Sequence, residues 1–170
     1  MSPLPIEIAA ERGARLCARL TKLPVWQNAR TVALYAATAH EPDLSPLWKE
    51  RAGRVFCFPR VEGDGIAEER LVFYRTDSPE QLLDSRWGLR EPASDPARRV
   101  EDAEIDLVLV PGVAFTAAGD RLGRGRGHYD RFLPRLKSTA QAVGICFAER
   151  LLPSLPTEMH DRQLDDVVAE

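Results

Sequence analysis

The sequence is poor in cysteine and has no long apolar run. Its three cysteines, Cys17, Cys57 and Cys146, stand far apart among apolar neighbours. This spacing fits neither a disulfide framework nor a metal site, so we expect free thiols in a reducing cytoplasm. The sequence lacks 18 consecutive apolar residues, and no basic N-terminal region precedes an apolar core. These absences argue against a membrane span and a signal peptide, and we predict a cytoplasmic location.

The chain also lacks a surplus of positive charge. It carries 23 lysines and arginines against 26 aspartates and glutamates, a formal net charge of −3. General nucleic-acid binding releases counterions through a broad basic face, which this composition does not provide. The three histidines, His40, His128 and His160, are not spaced with other ligand residues as in a zinc site. We therefore expect neither a nucleic-acid partner nor a zinc centre.

The 170 residues, 44% of them apolar, are enough for one domain over residues 1–170 with a sizeable core. Short apolar runs alternate with helical and turn segments. The predicted strands are 31–35, 54–58, 71–74, 105–110, 140–147 and 166–169, and the predicted helices lie between residues 5 and 24, at 43–48, from 78 and at 129–136. We predict that residues 87–96 form an irregular loop because they are rich in breakers. The alternation predicts an α/β fold, an open sheet with helices on both faces and ligands beyond the carboxyl ends of its strands.

The segment of residues 121–130, which reads RLGRGRGHYD, follows the strongest strand signal in the chain. Three glycines stand at alternate positions of this segment. One arginine begins the segment, and two more precede the second and third glycines. The glycines are Gly123, Gly125 and Gly127, and the arginines are Arg121, Arg124 and Arg126. Uncovered backbone amides beside guanidinium groups favour binding of an anion such as phosphate. From spacing alone, a flexible connection with solvated arginines stays open as the alternative.

Two motifs resemble those of the 5-formyltetrahydrofolate cyclo-ligase family, also called methenyltetrahydrofolate synthetases. They are DLVLVPGVAF at 106–115 and RLGRGRGHYDRFL at 121–133, supported by TVALY at 31–35, FPRV at 58–61 and WGLREP at 87–92. The resemblance implies a three-layer, mostly parallel sheet of the NagB/RpiA/CoA-transferase-like kind. It also implies an enzyme that uses ATP and Mg²⁺ to convert 5-formyltetrahydrofolate into 5,10-methenyltetrahydrofolate, with release of ADP and phosphate. We expect such an enzyme to work as a monomer on this small-molecule substrate.

The resemblance also implies roles for individual residues. ATP would be held by Arg121, Leu122, Gly123, Arg124, Gly125, Arg126, Gly127, His128 and Tyr129, with Arg124 and Arg126 acting on the transferred phosphoryl group. The folate would contact Ala36, Glu41, Arg124, Gly125, Arg126, Gly127 and His128. Asp130 and Asp161 would ligate Mg²⁺. Without the resemblance, Asp130 is a helix N-terminal carboxylate, Asp161 a turn residue and Glu41 a solvated charge at a strand end.

The sequence departs from the family pattern at two places. His128 stands where the family commonly has the first of two tyrosines. We expect the family's usual first N-terminal helix, with a lysine and an arginine that reach the ATP phosphates, to be missing; Arg12 and Arg15 are too close to Tyr35 to replace them. The leading hypothesis is therefore an ATP-dependent cyclo-ligase, and the alternative is a non-catalytic relative that binds nucleotide or folate. A third hypothesis, RNA binding by the arginine loop, is weakened by the acidic balance and by the lack of interleaved aromatic residues.

Overall fold

The computed structural model describes residues 4–65, 68–156 and 162–170. Its α-helices are α1 (Ile6–Leu20), α2 (Pro24–Asn28) and α3 (His128–Phe132). Its strands are β1 (Thr31–Ala33), β2 (Val55–Glu62), β3 (Arg70–Arg75), β4 (Leu82–Asp84), β5 (Arg90–Pro92), β6 (Arg99–Val100), β7 (Leu107–Val110), β8 (Ala114–Phe115), β9 (Arg121–Leu122), β10 (Gln141–Cys146) and β11 (Asp166–Ala169). Short 3-10 helices lie at Ser45–Glu50, Pro79–Gln81, Arg86–Gly88, Pro96–Arg98, Asp102–Glu104, Leu133–Arg135 and Ala148–Arg150.

Seven strands form one mixed sheet in the order β11-β10-β7-β1-β2-β3-β6. The first five run parallel, and β3 and β6 extend the sheet antiparallel beyond β2. The interior strand β7 is an uninterrupted apolar run, and all four of its residues are fully buried. Such a run is typical of a parallel strand covered on both faces. The carboxyl ends of β1, β2, β7 and β10 therefore share one edge of the sheet.

Helical segments cover both faces of this sheet. On one face, α1 buries Leu16 and Leu20 completely in a cluster that also contains Trp26 and Phe56, whose rings lie 6.0 Å apart. On the opposite face, Phe132 of α3 packs on Phe73 at a ring distance of 4.6 Å. These layers confirm the predicted three-layer α/β fold with a mostly parallel sheet.

Several predicted elements have different bounds in the structure. The prediction of an irregular loop over residues 87–96 is wrong, because β5 pairs antiparallel with β4 across the 3-10 turn at Arg86–Gly88. Pro92 occupies an edge position of this small sheet, where its missing N–H is tolerated. The predicted helix 129–136 divides into α3 and a 3-10 turn, with Pro134 at the start of that turn. A proline ring cannot continue the α-helical hydrogen-bond pattern, which explains the division.

The cysteines agree with the predicted absence of disulfides. All three cysteines are free and buried. Burial raises the pKa of Cys17 and of Cys146 to about 12, so both stay as uncharged thiols near neutral pH. Within residues 4–65, 68–156 and 162–170, no helix is long and apolar enough to cross a membrane.

Candidate active site

The structure places the glycine-arginine segment beside a cavity of about 200 Å³. Residues 121–130 all line this cavity except Leu122 and Gly125. Ala36, which follows β1, and Glu41 also line it. The fold thus brings together, at the carboxyl edge of the sheet, nearly all of the residues that the sequence predicts for the site. The predicted metal ligand Asp161 lies outside the described residues.

Glycine is required where the segment joins α3. Gly127 has φ +63° and occupies the N-cap position of this helix. A side chain in this left-handed region costs about 1–2 kcal/mol. A Cβ atom at Gly127 would also lie 2.9 Å from Nη1 of Arg131. That guanidinium donates from Nη1 to the carbonyl of Arg126 at 2.9 Å and from Nη2 to the carbonyl of Glu69 at 3.0 Å, so it ties the segment to β3.

We expect Gly127→Ala to destabilise the protein more than Gly53→Ala does. Gly53 also has a left-handed backbone, φ +76°, but a Cβ there would meet nothing within 4 Å. Both variants lose about 1–2 kcal/mol through backbone strain, and Gly127→Ala loses up to about 1 kcal/mol more because Nη1 of Arg131 must shift and its hydrogen bond to the Arg126 carbonyl weakens. Urea unfolding of the two variants measures this difference. Equal free energies of unfolding for the two variants would contradict the role of the Arg131 contacts.

Arg121 is the buried member of the segment. Its side chain is 6% exposed and donates from Nη2 to Oδ1 of Asp130 at 2.6 Å. Its guanidinium also lies 5.5 Å from the centre of the Tyr129 ring. Asp130 lies in the first turn of α3, as the helix-terminus alternative predicts, and it lines the cavity as well. The two interpretations of Asp130 are therefore compatible.

Arg124 is held by an acidic partner 83 residues away. Its Nη2 donates to Oε1 of Glu41 at 3.0 Å and to the hydroxyl of Thr38 at 2.7 Å. The second oxygen of Glu41, Oε2, accepts from both the amide and the hydroxyl of Thr38 at 2.9 Å. The Glu41 side chain is 7% exposed, so its interpretation as a solvated strand-end charge is wrong. The contact keeps the Arg124 guanidinium at the cavity wall.

Arg126 and His128 share a carboxylate that the sequence reasoning missed. Oε2 of Glu69 lies 3.3 Å from Nη1 of Arg126 and 3.0 Å from Nε2 of His128. Glu69 is 5% exposed and immediately precedes β3. The hydrogen bond from His128 and the nearby charge of Arg126 hold the pKa of this carboxyl below its ordinary value. No sequence motif identifies Glu69. The sequence indicates only that a segment with several arginines needs acidic partners where it is buried.

The lowered pKa of Glu69 gives a prediction for acid stability. A carboxyl whose pKa is depressed by folding stabilises the folded state above its ordinary value of about 4.5, and this contribution is lost as the pH falls from there through the folded-state pKa. We therefore expect Glu69→Gln to lower the free energy of unfolding at pH 7 and to have a smaller effect below pH 4.5. Denaturant unfolding at several pH values measures this. The exposed neighbour Glu68 supplies the control, Glu68→Gln; a Glu69→Gln effect independent of pH would contradict the prediction.

The rest of the cavity wall is mainly apolar. Pro59 and Val61 from β2, Leu71 from β3 and Leu89 line this part. Among them lies Glu91 of β5, whose carboxylate accepts the Val61 amide on Oε1 at 3.1 Å. Glu91 lies within the WGLREP motif, but the sequence alone predicts no role for it. Its burial depends on the pairing of β5 with β4, which was not predicted.

The N-terminal arginines lie away from the cavity. Arg12 donates to Glu149 at 2.6 Å, and Arg15 donates to Glu170 at 2.7 Å. Neither arginine belongs to the described cavity wall. They attach α1 to the end of the chain beside β11, which agrees with the expectation that they do not replace the phosphate-binding pair of the family.

Comparison with known proteins identifies the family of the chain. The model of the 5-formyltetrahydrofolate cyclo-ligase family matches residues 6–170. The chain is 30% identical to a probable 5-formyltetrahydrofolate cyclo-ligase of Schizosaccharomyces pombe, over 99% of this chain and 88% of that protein. It is also 30% identical to the 5-formyltetrahydrofolate cyclo-ligase of Escherichia coli K12, over 93% and 87% of the respective lengths.

Solved structures show the same fold. The 5,10-methenyltetrahydrofolate synthetase of Aquifex aeolicus superposes with a TM-score of 0.82 at 33% identity, over 98% of this chain and 81% of that one. The synthetase of Mycoplasma pneumoniae superposes with a TM-score of 0.75 at 21% identity, over 97% and 88%. The family match over nearly the whole sequence, together with this fold and cavity, shows that the chain belongs to the 5-formyltetrahydrofolate cyclo-ligase family.

Proposed function

We propose that this enzyme converts 5-formyltetrahydrofolate into 5,10-methenyltetrahydrofolate with ATP and Mg²⁺, releasing ADP and phosphate. One observation carries the proposal: a single cavity combines a wall of positively charged side chains on the 121–130 segment with an apolar wall that contains a buried carboxylate. The first wall suits a triphosphate, and the second suits a flat heterocycle with N–H groups. Family membership supports the same reaction.

The proposed chemistry activates the formyl oxygen. An amide-like formyl oxygen is a poor leaving group, and transfer of the γ-phosphoryl group of ATP turns it into phosphate. A bond forms between the formyl oxygen and phosphorus as the bond from phosphorus to ADP breaks. The neighbouring folate nitrogen then attacks the formyl carbon, loses its proton and closes the ring as phosphate departs. This sequence requires no covalent bond to the protein, so positioning and charge neutralisation are the main contributions of the site.

Arg124 and Arg126 are the proposed catalytic residues for phosphoryl transfer. Each guanidinium lines the cavity and is oriented by a buried carboxylate, Glu41 for Arg124 and Glu69 for Arg126. A guanidinium fixed before the reaction can stabilise charge on the moving phosphoryl group without reorganising. The remaining residues of 121–129 would hold ATP, and Ala36 and Glu41 would contact the folate. All of these residues except Leu122 and Gly125 reach the cavity wall.

Asp130 fits a role as a Mg²⁺ ligand. It offers hard carboxylate oxygens at the cavity wall, with Oδ1 shared with Arg121. Mg²⁺ is commonly held by one or two carboxylates with water and substrate phosphates. In the part of the chain that the structure describes, no three acidic, histidine or cysteine side chains form a metal cage, and the proposed mode of binding does not need one. Asp161 is the proposed second ligand. When bound, the ion would neutralise negative charge on the phosphates.

Product formation tests the proposal directly. The protein is mixed with 5-formyltetrahydrofolate, ATP and Mg²⁺, and the absorbance of methenyltetrahydrofolate is followed, with a control that omits ATP. We expect ATP-dependent product and one ADP per turnover. Absence of product at high protein concentration would overturn the proposal; retained binding of folate or nucleotide by calorimetry would then favour the non-catalytic alternative.

We also propose that the enzyme acts as a cytoplasmic monomer without a nucleic-acid partner.

A further inference from the structure

The buried carboxylate of Glu91 has one oxygen that accepts no hydrogen bond from the described residues. Glu91 is 6% exposed, and its Oε1 accepts the Val61 amide at 3.1 Å. Oε2 forms a long ion pair with Nη1 of Arg60 at 3.9 Å, a separation beyond hydrogen-bond distance. Among the described residues, no donor contacts Oε2. Because Glu91 lines the cavity, the lone pairs of this oxygen can accept hydrogen bonds from a bound ligand.

The two ligands of the proposed reaction present different hydrogen-bonding edges to a carboxylate. The pterin has an exocyclic amino group next to a ring N–H, which makes two adjacent donors. The adenine of ATP has its amino group next to a ring nitrogen that accepts. A carboxylate accepts and cannot donate when ionised, so it matches the pterin edge and repels the adenine edge. The apolar neighbours of Glu91, including Pro59 and Leu89, suit the faces of a pterin ring.

We propose that Glu91 is a specificity-determining residue that accepts hydrogen bonds from the amino and ring N–H groups of the pterin. The inference rests on the proposed function and deepens it, because it assigns the pterin to the β2–β5 wall and the triphosphate to the 121–130 segment. It also separates the tasks of two carboxylates in the cavity. Both oxygens of Glu41 are engaged by Arg124 and Thr38, so Glu41 mainly holds Arg124 where it also contacts the folate, whereas Glu91 recognises the amino and ring N–H groups of the pterin.

The variant Glu91→Gln tests this assignment. Its side-chain oxygen can still accept the Val61 amide, while its NH₂ group presents a donor to the donors of the pterin. We expect KM for 5-formyltetrahydrofolate to rise roughly 10- to 100-fold, as for loss of a charged hydrogen bond, and KM for ATP to change less than about threefold. The control is Glu62→Gln on β2, next to Val61. Its carboxylate bonds to the hydroxyls of Tyr74 and Ser94 outside the described cavity wall, and we expect unchanged KM values.

A folate analogue tests the same contact from the ligand side. The analogue is 5-formyltetrahydrofolate without the 2-amino group, measured by calorimetry with the wild type, Glu91→Gln and Glu62→Gln. We expect the wild type and Glu62→Gln to bind it at least about tenfold more weakly than the natural folate, and Glu91→Gln to discriminate far less. Because the wild type is measured directly, the contact is tested even if Glu91→Gln fails to fold.

The two measurements separate the failure of this inference from the failure of the proposed function. Equal discrimination by the wild type and Glu91→Gln, or a wild type that does not discriminate, would overturn the role of Glu91 even in an active enzyme. Discrimination that depends on Glu91 in a protein without cyclo-ligase activity would support the pterin contact and reject the proposed reaction.

Discussion

Replacing Arg124 with alanine is expected to lower kcat/KM for ATP by about 10²–10³-fold. The Arg124 guanidinium lines the cavity and is oriented by Glu41 and Thr38, so its loss removes a charge that is already placed for the phosphoryl group. Arg124→Lys keeps the charge but loses the planar pair of donors, and we expect an intermediate effect. Steady-state kinetics with ATP varied at saturating folate measure both variants.

The matched control for Arg124→Ala is Arg19→Ala. Arg19 is 59% exposed and pairs with Glu170 at 3.0 Å, whereas Arg124 is 48% exposed and pairs with Glu41 at the same distance. The control therefore removes a comparable ion pair far from the cavity, and such an exposed pair contributes little to stability. If Arg124→Ala kept kcat/KM within about threefold of the control, its assignment to phosphoryl transfer would be refuted.

Replacing Asp130 with asparagine is expected to raise the Mg²⁺ concentration needed for half-maximal activity by at least about tenfold and to lower kcat/KM by about 10²-fold. The amide oxygen of asparagine can still accept from Arg121, but it is a weaker Mg²⁺ ligand than a carboxylate. Activity measured against free Mg²⁺ at fixed ATP separates the metal effect from the loss of an ion pair.

Asp102→Asn supplies the control for Asp130→Asn. Asp102 and Asp130 are both 27% exposed, and their arginine partners, Arg135 and Arg121, lie at 2.7 and 2.6 Å. Asp102 lies outside the described cavity wall. We expect its Mg²⁺ dependence to equal that of the wild type. The same dependence in Asp130→Asn would remove Asp130 from the proposed metal site.

The sequence predicts those parts of the fold that depend on local pattern. The apolar run of β7 is buried on both faces and is followed directly by Pro111 and Gly112, so its interior position in the sheet agrees with its composition. Edge elements are harder to predict, as β5 shows. Its short run contains a proline and charged residues, and it becomes regular through pairing with β4.

The acidic partners of the arginines could not be predicted in the same way. Glu41 and Glu69 lie 83 and 57 residues from the arginines that they hold. Their positions depend on the strand order, which places β1 between β7 and β2 and adds β3 beyond β2. The segment 121–130 is visible in the sequence because its residues are contiguous, whereas its partners come together through long-range pairing. The sequence therefore predicts the cationic half of the site better than the acidic half.

A crystal structure with a non-hydrolysable ATP analogue and 5-formyltetrahydrofolate tests most directly whether residues 121–129 bind the triphosphate beside a bound pterin. We expect the phosphates to contact the backbone amides of this segment and the guanidinium groups of Arg124 and Arg126. The pterin should lie in the same cavity. A structure in which the nucleotide is bound elsewhere and this segment contacts no phosphate would contradict the account.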